Sequence, residues 1–521
     1  MKILVAEPLA PAAVGILKAQ AGWDVIVADP KSYAAHLAEC DALLVRSAVR
    51  VNAELLSQAP RLRVVGRAGV GVDNVDLDAA TAAGVLVMNT PGGNAVSVAE
   101  HTLALMLAMA RSIPQASAST KAGRWEKKKF LGSELRGKTL GILGLGAIGR
   151  DVARRARSFE MKVVAYDPFV NSQTAADLGI ELVTQHELFA QSDYITLHMA
   201  LTPETQGIIN EYTIAKMKDG VRIVNCARGE LIDPAALAKG LESGHVAGAA
   251  LDVFQTEPPE AGEPLLKFDS VIATPHIGGS TEEAQEIVGI RIAEQLIEYL
   301  KNGVALNAVN LPAITAEQYQ AIGPYVLLAE RLGAFASHVA EGNPKSVKMV
   351  YRGRIGEGNT SVIRNSGVAG VLNRSLSRRA NVVNSMPIAK ERGLNVGEAH
   401  ENRSGAMDSI RLELETDRGL TTVEGAVVLD RARLIQVDGI YCEAPLAGHV
   451  TFLKNADVPG VIGYIGSVFG KNGVNIANFS LGRGPNAEAI SVVESDQVVP
   501  DAVLAELLSN PSMKLARKVE F

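Results

Sequence analysis

The chain has 521 residues, 47% of them hydrophobic, and a formal net charge of −6. That length calls for about three or four domains, and the acidic balance argues against a constitutive nucleic-acid surface. No apolar run reaches the length of a membrane span, and Cys40, Cys226 and Cys442 are too scattered for a disulfide framework or a metal site, which fits a reducing cytoplasm.

The opening Met1-Lys-Ile-Leu-Val-Ala reads as a first strand rather than a signal peptide. Up to about residue 99, short apolar runs alternate with helix-like segments. The runs are Lys2–Ala6, Asp24–Val27, Ala42–Val45, Leu62–Val65 and Val85–Met88. Strands alternating with helices imply a parallel sheet. No glycine fingerprint follows the first run, so this unit is not the nucleotide site. Val96 to Ile113 reads as one long apolar helix, hinging into a second α/β unit over about 100–282.

That second unit carries the strongest local signal. An apolar run ends in Gly144-Leu-Gly146-Ala-Ile-Gly149, a helical segment follows, and the next run, Met161 to Tyr166, ends on Asp167. Strand, glycine turn, helix, strand and acid make the βαβ unit that binds a dinucleotide. Gly144 permits the turn, Gly146 admits the pyrophosphate, and Gly149 lets helix and strand pack closely. Asp167-Pro168-Phe169 offers an acid for ribose hydroxyls and no arginine for a 2′-phosphate, which favours NAD over NADP.

Later strands are predicted at Tyr194–Leu197, Arg222–Asn225, Gly248–Leu251 and Ser270–Ala273. Ligands of an open parallel sheet sit at the carboxyl ends of its strands. Arg228, Asp252 and Pro275-His276 are therefore expected to share one crevice. Thr281 to Asn302 reads as a long helix with Ile287, Ile290, Ala293, Ile297 and Leu300 on its apolar stripe. It is placed to return to the first unit and close it.

Asn307 to Pro312 reads as a link, 317–340 as helix, and Lys345 to about Gly448 as mixed short strands and helices. Eight arginines between Arg352 and Arg403 are expected to form a solvated or intersubunit face. From His449 onward the pattern is strand, helix, strand, strand, helix, strand. Its first helix opens at Pro459-Gly460, with Val461, Ile462, Ile465, Val468 and Phe469 facing inward. Such split βαβ repeats form a ferredoxin-like domain.

Three residues just past predicted strands invite a catalytic reading: Arg228, Glu257 and His276. Hydride transfer from a secondary alcohol needs a base for the hydroxyl proton, and histidine suits. A carboxylate beside the imidazole orients it and stabilises the imidazolium. An arginine grips a substrate carboxylate in a forked geometry.

Together, GLGAIG, NCARGELID, DVFQTEP, TPHIGGST and RAGVGVDNVD resemble the D-isomer-specific 2-hydroxyacid dehydrogenase family. The resemblance covers essentially the whole chain and is similar to long forms with an intervening domain and a C-terminal ACT domain. It implies an α/β protein in which a Rossmann NAD domain (100–282) is clasped by a flavodoxin-like split substrate domain (1–99 and 283–312). An α+β intervening domain (313–448) and a ferredoxin-like ACT regulatory domain (449–521) follow. It also implies His276 as acid/base, Glu257 as its partner and Arg228 as substrate anchor. Ala147, Ile148, Asp167, Cys226, Asp252 and Gly278 are implied beside NAD, with Gly144, Gly146 and Gly149.

Arg46 and Arg67 match positions that hold substrate anions, and Arg124 and Lys128 are candidates to reach a neighbouring active site in a homodimer or homotetramer. The activity implied is oxidation of 3-phospho-D-glycerate to 3-phosphohydroxypyruvate, the first step of L-serine biosynthesis. Serine is the implied effector, at Asp457 and Asn475; Asn455 stands where some relatives carry histidine. Two alternatives remain: another 2-hydroxy acid as substrate, against which Arg46, Arg67 and the tail count, or an NAD-sensing transcriptional corepressor, against which the intact Arg228, Glu257 and His276 set counts.

Overall fold

The computed structural model describes residues 1–312, 314–376, 379–401 and 407–521. Arg378 and Arg403 of the arginine-rich segment, and the first residue of the expected intervening domain, Ala313, lie outside them.

The first sheet holds β1 (Lys2–Val5), β2 (Asp24–Val27), β3 (Ala42–Val45), β4 (Val64–Arg67) and β5 (Leu86–Met88). All its pairings are parallel and its order is β2-β1-β3-β4-β5, the flavodoxin-like winding. β4 begins two residues later than the apolar run Leu62–Val65 implied. Leu62 is spent in a turn, its N–H bonded to the Ala59 carbonyl, and pairing starts at Val64 opposite Ala42. The shift matters, because Arg67 becomes the last residue of the strand.

The single helix expected over Val96–Ile113 is two. One spans Ala95–Ala110 and the next Ile113–Lys121, with a bend of 62° between them. Pro114, in the first turn of the second helix, has no N–H to continue the hydrogen-bond ladder of the first, and Ser112 takes up the break in a left-handed conformation, φ 48°. Among the described residues no single helix is long and apolar enough to cross a membrane.

The second sheet contains β6 (Thr139–Leu143), β7 (Lys162–Tyr166), β8 (Glu181–Leu182), β9 (Tyr194–Leu197), β10 (Val221–Asn225), β11 (Val246–Leu251) and β12 (Val271–Ala273). Its order, β12-β11-β10-β9-β6-β7-β8, puts β6 at the point where the winding reverses. That reversal is the topological switch point, where nucleotides bind.

The Glu282–Asn302 helix returns to the first sheet, as expected, but on a rotated face. Ala284, Val288, Ile292, Leu296 and Leu300 are buried at i, i+4 spacing, whereas Ile287 is exposed. The reason is close packing: Gly289 faces the Pro11–Lys18 helix, where an added Cβ would lie 3.2 Å from that of Ala13. The chain then lies along β5, with the Val309 N–H bonded to the Val87 carbonyl and Asn310 Oδ1 accepting from the Val87 N–H.

The region after residue 313 is richer in strand than the sequence implied. β13 (Pro344–Arg352), β14 (Asn395–Glu401), β15 (Ser409–Thr416), β16 (Gly419–Val428), β17 (Arg431–Val437) and β18 (Ile440–Pro445) form a sheet of order β14-β13-β15-β16-β17-β18. Helices Ala316–Val339 and Ser361–Asn373 pack together, and Gly333 and Gly370 let their backbones meet. A Cβ on either would sit 2.1 Å from a carbonyl oxygen of the opposite helix. The arginines here are not simply a solvated face. Arg352 turns inward to Glu401 and Glu424, and Arg364 to Glu398.

The last sheet, β19 (His449–Ala456), β20 (Ile476–Arg483), β21 (Glu488–Ser495) and β22 (Met513–Val519), has the order β20-β21-β19-β22 with antiparallel pairing. Helices Val461–Lys471 and Asp501–Leu508 complete the ferredoxin-like pattern. Ile462, expected inward, is exposed, because the buried stripe runs through Val461, Ile465, Val468 and Phe469. The other face of this sheet is not free. Val450, Phe452, Ile490, Val492 and Val519 share one core with Leu328, Leu332 and Phe335, and the Phe335 and Phe452 rings meet edge-to-face at 5.5 Å.

Candidate active site

The glycine turn after β6 is built by close approach. Gly144 has φ +96°, and a Cβ there would lie 2.6 Å from the His198 carbonyl oxygen. A Cβ on Gly149 would lie 2.1 Å from the Gly144 carbonyl oxygen. A Cβ on Gly146, by contrast, would meet nothing within 4 Å among the described residues, so the turn is open on the side facing a ligand. Gly146 caps the Ala147–Ser158 helix without a side-chain hydrogen bond, leaving its first N–H groups for an anion. Ala147 is exposed there and Ile148 half-buried.

Asp167 stands just past β7. Its Oδ2 accepts from the Leu145 N–H at 2.8 Å and its Oδ1 from the Phe169 N–H at 2.9 Å. The carboxylate is therefore clamped beside the turn, each oxygen keeping capacity for a hydroxyl donor. An open turn, free helix N–H groups and a fixed acid fit a pyrophosphate and its ribose. Cys226 is buried against Thr102, and burial pushes its thiol up to about 12, so it is a protonated packing group.

The histidine–carboxylate pair forms as expected. His276 Nδ1 lies 2.7 Å from Glu257 Oε2, and Glu257 Oε1 accepts from the Phe254 N–H at 3.1 Å. Since the carboxylate can only accept, Nδ1 carries the proton and Nε2 is left to take one. Both side chains are exposed, so Nε2 is accessible to a bound molecule. His276 sits at φ 52°, a strained left-handed conformation for a residue with a Cβ.

Asp252, only 1% exposed, supports that conformation. Its Oδ1 accepts from Thr274 Oγ1 at 2.6 Å and the Ile277 N–H at 2.9 Å, and its Oδ2 from the Gly278 N–H at 2.8 Å. His101 Nε2 approaches Oδ1 at 3.3 Å. Burial opposes ionisation here, yet His101, Thr274 and the two amides hold the carboxyl below its usual range. A Cβ on Gly278 would come 3.0 Å from Asp252 Oδ2, so glycine permits the contact.

Arg228 follows β10 in a turn tied by Asn225, whose Nδ2 donates to the Arg228 carbonyl and whose Oδ1 accepts from the Ala227 N–H. Its guanidinium reaches the first sheet's unit and pairs with Asp73 at 2.9 Å. Val45 and Arg67 are register partners on β3 and β4, so Arg46 and Arg67 emerge side by side at the carboxyl end of that sheet. Burial, then Arg228 and Arg46 nearby, depress the Arg67 guanidinium, with Asp73 and Glu7 opposing. Its Nε is buried and has no hydrogen-bond partner among the described residues. Around Arg67 stand Arg46 and Arg228 against Asp73 and Glu7, with Arg67 counted an excess of one positive charge that suits an anion.

Sequence reasoning missed Glu7, Asp73 and His101. Glu7 is 5% exposed and accepts from the N–H groups of Arg46, Ala48 and Val49, fixing the loop that carries Arg46. It directly follows the first apolar run, and Asp73 lies inside RAGVGVDNVD, so position at a strand end was the available signal for both. His101 sits on a helix, where nothing local marks it.

Arg124 pairs with its neighbour Glu126, and both it and Lys128 are exposed. Asp457 is paired with Arg483, and Asn475 Nδ2 donates to Asp496. These two residues do not meet within one chain. Asp457 follows the Ala456 end of β19, whereas Asn475 lies at the end where His449 pairs with Ser495. A strand of that length separates them by roughly 25 Å at 3.3 Å per residue.

A parallel sheet of this order, a glycine turn at its switch point and a His–Glu pair with arginine at the strand ends define an NAD-linked dehydrogenase of 2-hydroxy acids. Residues 103–278 match the D-isomer specific 2-hydroxyacid dehydrogenase, NAD binding domain, and residues 321–438 the D-3-phosphoglycerate dehydrogenase intervening domain. D-lactate dehydrogenase from Aquifex aeolicus, solved with NAD and lactic acid, is 30% identical with a TM-score of 0.53, covering 60% of this chain and all of that one. D-3-phosphoglycerate dehydrogenase of Methanocaldococcus jannaschii is 41% identical over 99% of this chain and 98% of its own. That of Bacillus subtilis is 41% identical over 92% of each. The chain belongs to the D-3-phosphoglycerate dehydrogenase family.

Proposed function

We propose that this chain oxidises 3-phospho-D-glycerate to 3-phosphohydroxypyruvate with NAD, the first step of L-serine biosynthesis. The observation that carries the reading is the gathering of Arg46 and Arg228 around Arg67, with the hydrogen-bonded His276–Glu257 pair at the strand ends of the sheet that carries Arg228. A substrate with a carboxylate at one end and a phosphate of about −2 charge at the other calls for several forked cations. In this reading Arg228 takes the carboxylate, and Arg46 and Arg67 take the phosphate.

Gly144, Gly146 and Gly149 would hold NAD, with Asp167 taking its ribose hydroxyls, and the cofactor would supply the hydride acceptor. His276 Nε2 accepts the proton of the substrate hydroxyl as the C2–H bond breaks and its electron pair leaves with the hydride. Glu257 keeps the Nδ1 proton and stabilises the imidazolium. Arg228 polarises the carboxylate end, so the carbonyl forms beside a positive charge. Asp252 and Gly278 hold the loop that aims the imidazole.

The domain reading is a substrate domain of 1–99 and 283–312, an NAD domain of 100–282, an intervening domain of 313–448 and an ACT domain of 449–521. The ACT domain takes serine as effector at Asp457 and Asn475. Their separation within one chain supports a site shared by two copies, and hence a homodimer or homotetramer.

Initial rates with NAD and 3-phosphoglycerate, D-glycerate or D-lactate test the assignment. The phosphorylated acid is expected to lead in kcat/KM by at least about a hundredfold, since the phosphate adds charge-assisted bonds. A preference for either unphosphorylated acid would overturn it. NAD binding without turnover of any acid would point to a sensor instead.

A further inference from the structure

Arg228 is not simply aimed into the cleft. Its Nε donates to Asp73 Oδ1 at 3.2 Å and its Nη2 to Asp73 Oδ2 at 2.9 Å. Its Nη1 donates to the Ala227 carbonyl at 2.6 Å. A guanidinium has five N–H groups in a fixed plane. The Nε–Nη2 edge is one fork and the Nη1–Nη2 end is another. Asp73 fills the first. Ala227, on the arginine's own backbone, takes the Nη1 hydrogen that points back along the side chain. One N–H on each Nη remains, and these two are adjacent and parallel at the tip.

We propose that Asp73 is a positioning residue for Arg228: by occupying the Nε–Nη2 edge from across the domain cleft, it presents the Nη1–Nη2 tip to the substrate carboxylate. The inference rests on the reading that Arg228 binds that carboxylate. Gly71 supplies an independent observation. A Cβ there would lie 2.2 Å from Arg228 Nη2 and 2.7 Å from Asp73 Oδ2, so the backbone of RAGVGVDNVD is bare where the two groups meet. Asp73 belongs to the unit that carries Arg46 and Arg67, whereas Arg228 belongs to the unit that carries the glycine turn. Their pairing therefore sets the carboxylate anchor relative to the phosphate cations. The Asp73 carboxyl is lowered by Arg228 and Arg67 against the effect of burial, so it is ionised at working pH.

An opposing arrangement is conceivable on the same contacts, in which Asp73 competes with the substrate carboxylate for Arg228. The two make opposite predictions. Asp73→Asn keeps the shape but replaces one acceptor by a donor facing Nη2. With Asp73 positioning Arg228, this variant raises KM for 3-phosphoglycerate about tenfold to a hundredfold, while NAD affinity and the melting temperature hold. Inhibition by glycerol 3-phosphate, which has the phosphate but no carboxylate, is unchanged, a selectivity that a merely structural role would not produce. Asp73→Glu recovers part of the loss. In an Arg228→Gln background, Asp73→Asn adds little.

A lower KM for 3-phosphoglycerate in Asp73→Asn or Asp73→Ala would show competition and overturn the proposal. Equal weakening of 3-phosphoglycerate and glycerol 3-phosphate would reduce Asp73 to a structural role and overturn it too. If Arg228→Gln itself leaves KM for 3-phosphoglycerate unchanged, the anchoring role of Arg228 is what fails. If Arg228→Gln raises KM and Asp73→Asn does not, only the positioning role fails.

Discussion

Asp252 and His276 are joined through both backbone and side chain. The His276 N–H donates to the Asp252 carbonyl at 2.8 Å, and the Asp252 carboxylate takes the next two amides, those of Ile277 and Gly278. The left-handed histidine is thus held by the end of the neighbouring strand. Asp252→Asn should destabilise the chain by about 1–3 kcal/mol, because a donor then faces a buried amide. The Asp252 carboxyl is depressed in the folded state, so its stabilising effect is full above the unfolded-chain value of about 3.9 and is lost as pH falls through the lower folded value. Urea titrations should give a stability gap between parent and variant that is constant from about pH 7 to pH 5 and shrinks below about pH 4. A gap that does not change on acidification would assign the effect to packing.

His276→Asn should lower turnover by about 10²–10⁴-fold, the range of general acid–base catalysis, with NAD affinity nearly unchanged. Glu257→Gln should keep the fold and shift the pH–rate profile, its acid limb moving to lower pH as the imidazolium loses its counter-charge. Stopped-flow rates across pH measure both, and a loss under about tenfold for His276→Asn would remove it from the role of base.

Asp167→Ala should weaken NAD much more than NADP. The carboxylate that accepts from Leu145 and Phe169 is placed for ribose hydroxyls and would repel a 2′-phosphate. Fluorescence titration with both cofactors reads the ratio; equal effects would mean that Asp167 serves only the turn.

Arg46→Ala and Arg67→Ala should each raise KM for 3-phosphoglycerate by roughly 10–150-fold, the equivalent of one charge-assisted hydrogen bond. KM for NAD should move far less. If both variants take up the substrate normally, the phosphate sits elsewhere in the cleft.

Serine should slow the full-length enzyme, and Asp457→Ala or Asn475→Ala should relieve that inhibition without changing the uninhibited rate. Inhibition requires that serine bind a less active arrangement more tightly. Cutting the chain before His449 is a poor test, since it would strip Phe452 and Val492 from the core that Phe335 and Leu332 share. Calorimetry showing no serine binding at millimolar concentration would make the tail an assembly module.

The NAD half was legible because its signal is local. Gly144, Gly146, Gly149 and Asp167 lie within one βαβ unit, and an apolar run marked β9 to the residue, as others marked β2 and β3 in the first sheet. Helix faces were less legible. Ile287 and Ile462 are apolar yet exposed, because which side of a helix is buried depends on what packs against it. Sequence periodicity cannot choose between two nearly equal stripes. The strand content after residue 344 was underestimated although part of its signal was present: Ser409–Thr416 alternates strictly, with Ile410, Leu412 and Leu414 buried and Arg411, Glu413 and Glu415 on the other face.

By itself the amino-acid order determined the glycine turn after β6 and the alternation that yields two parallel sheets, and it named His276 and Glu257 as a candidate pair. These follow from backbone sterics and side-chain chemistry within a few tens of residues. Only the tertiary structure decided that Asp73 would meet Arg228, 155 positions away, that Glu7 would hold the Arg46 loop, and that the tail and the intervening sheet would share one core. Such pairings are set by how separate elements dock, and docking is driven by burial of apolar area, which is non-directional. The chain therefore carries each partner openly, but nothing local in its sequence says that the two belong together.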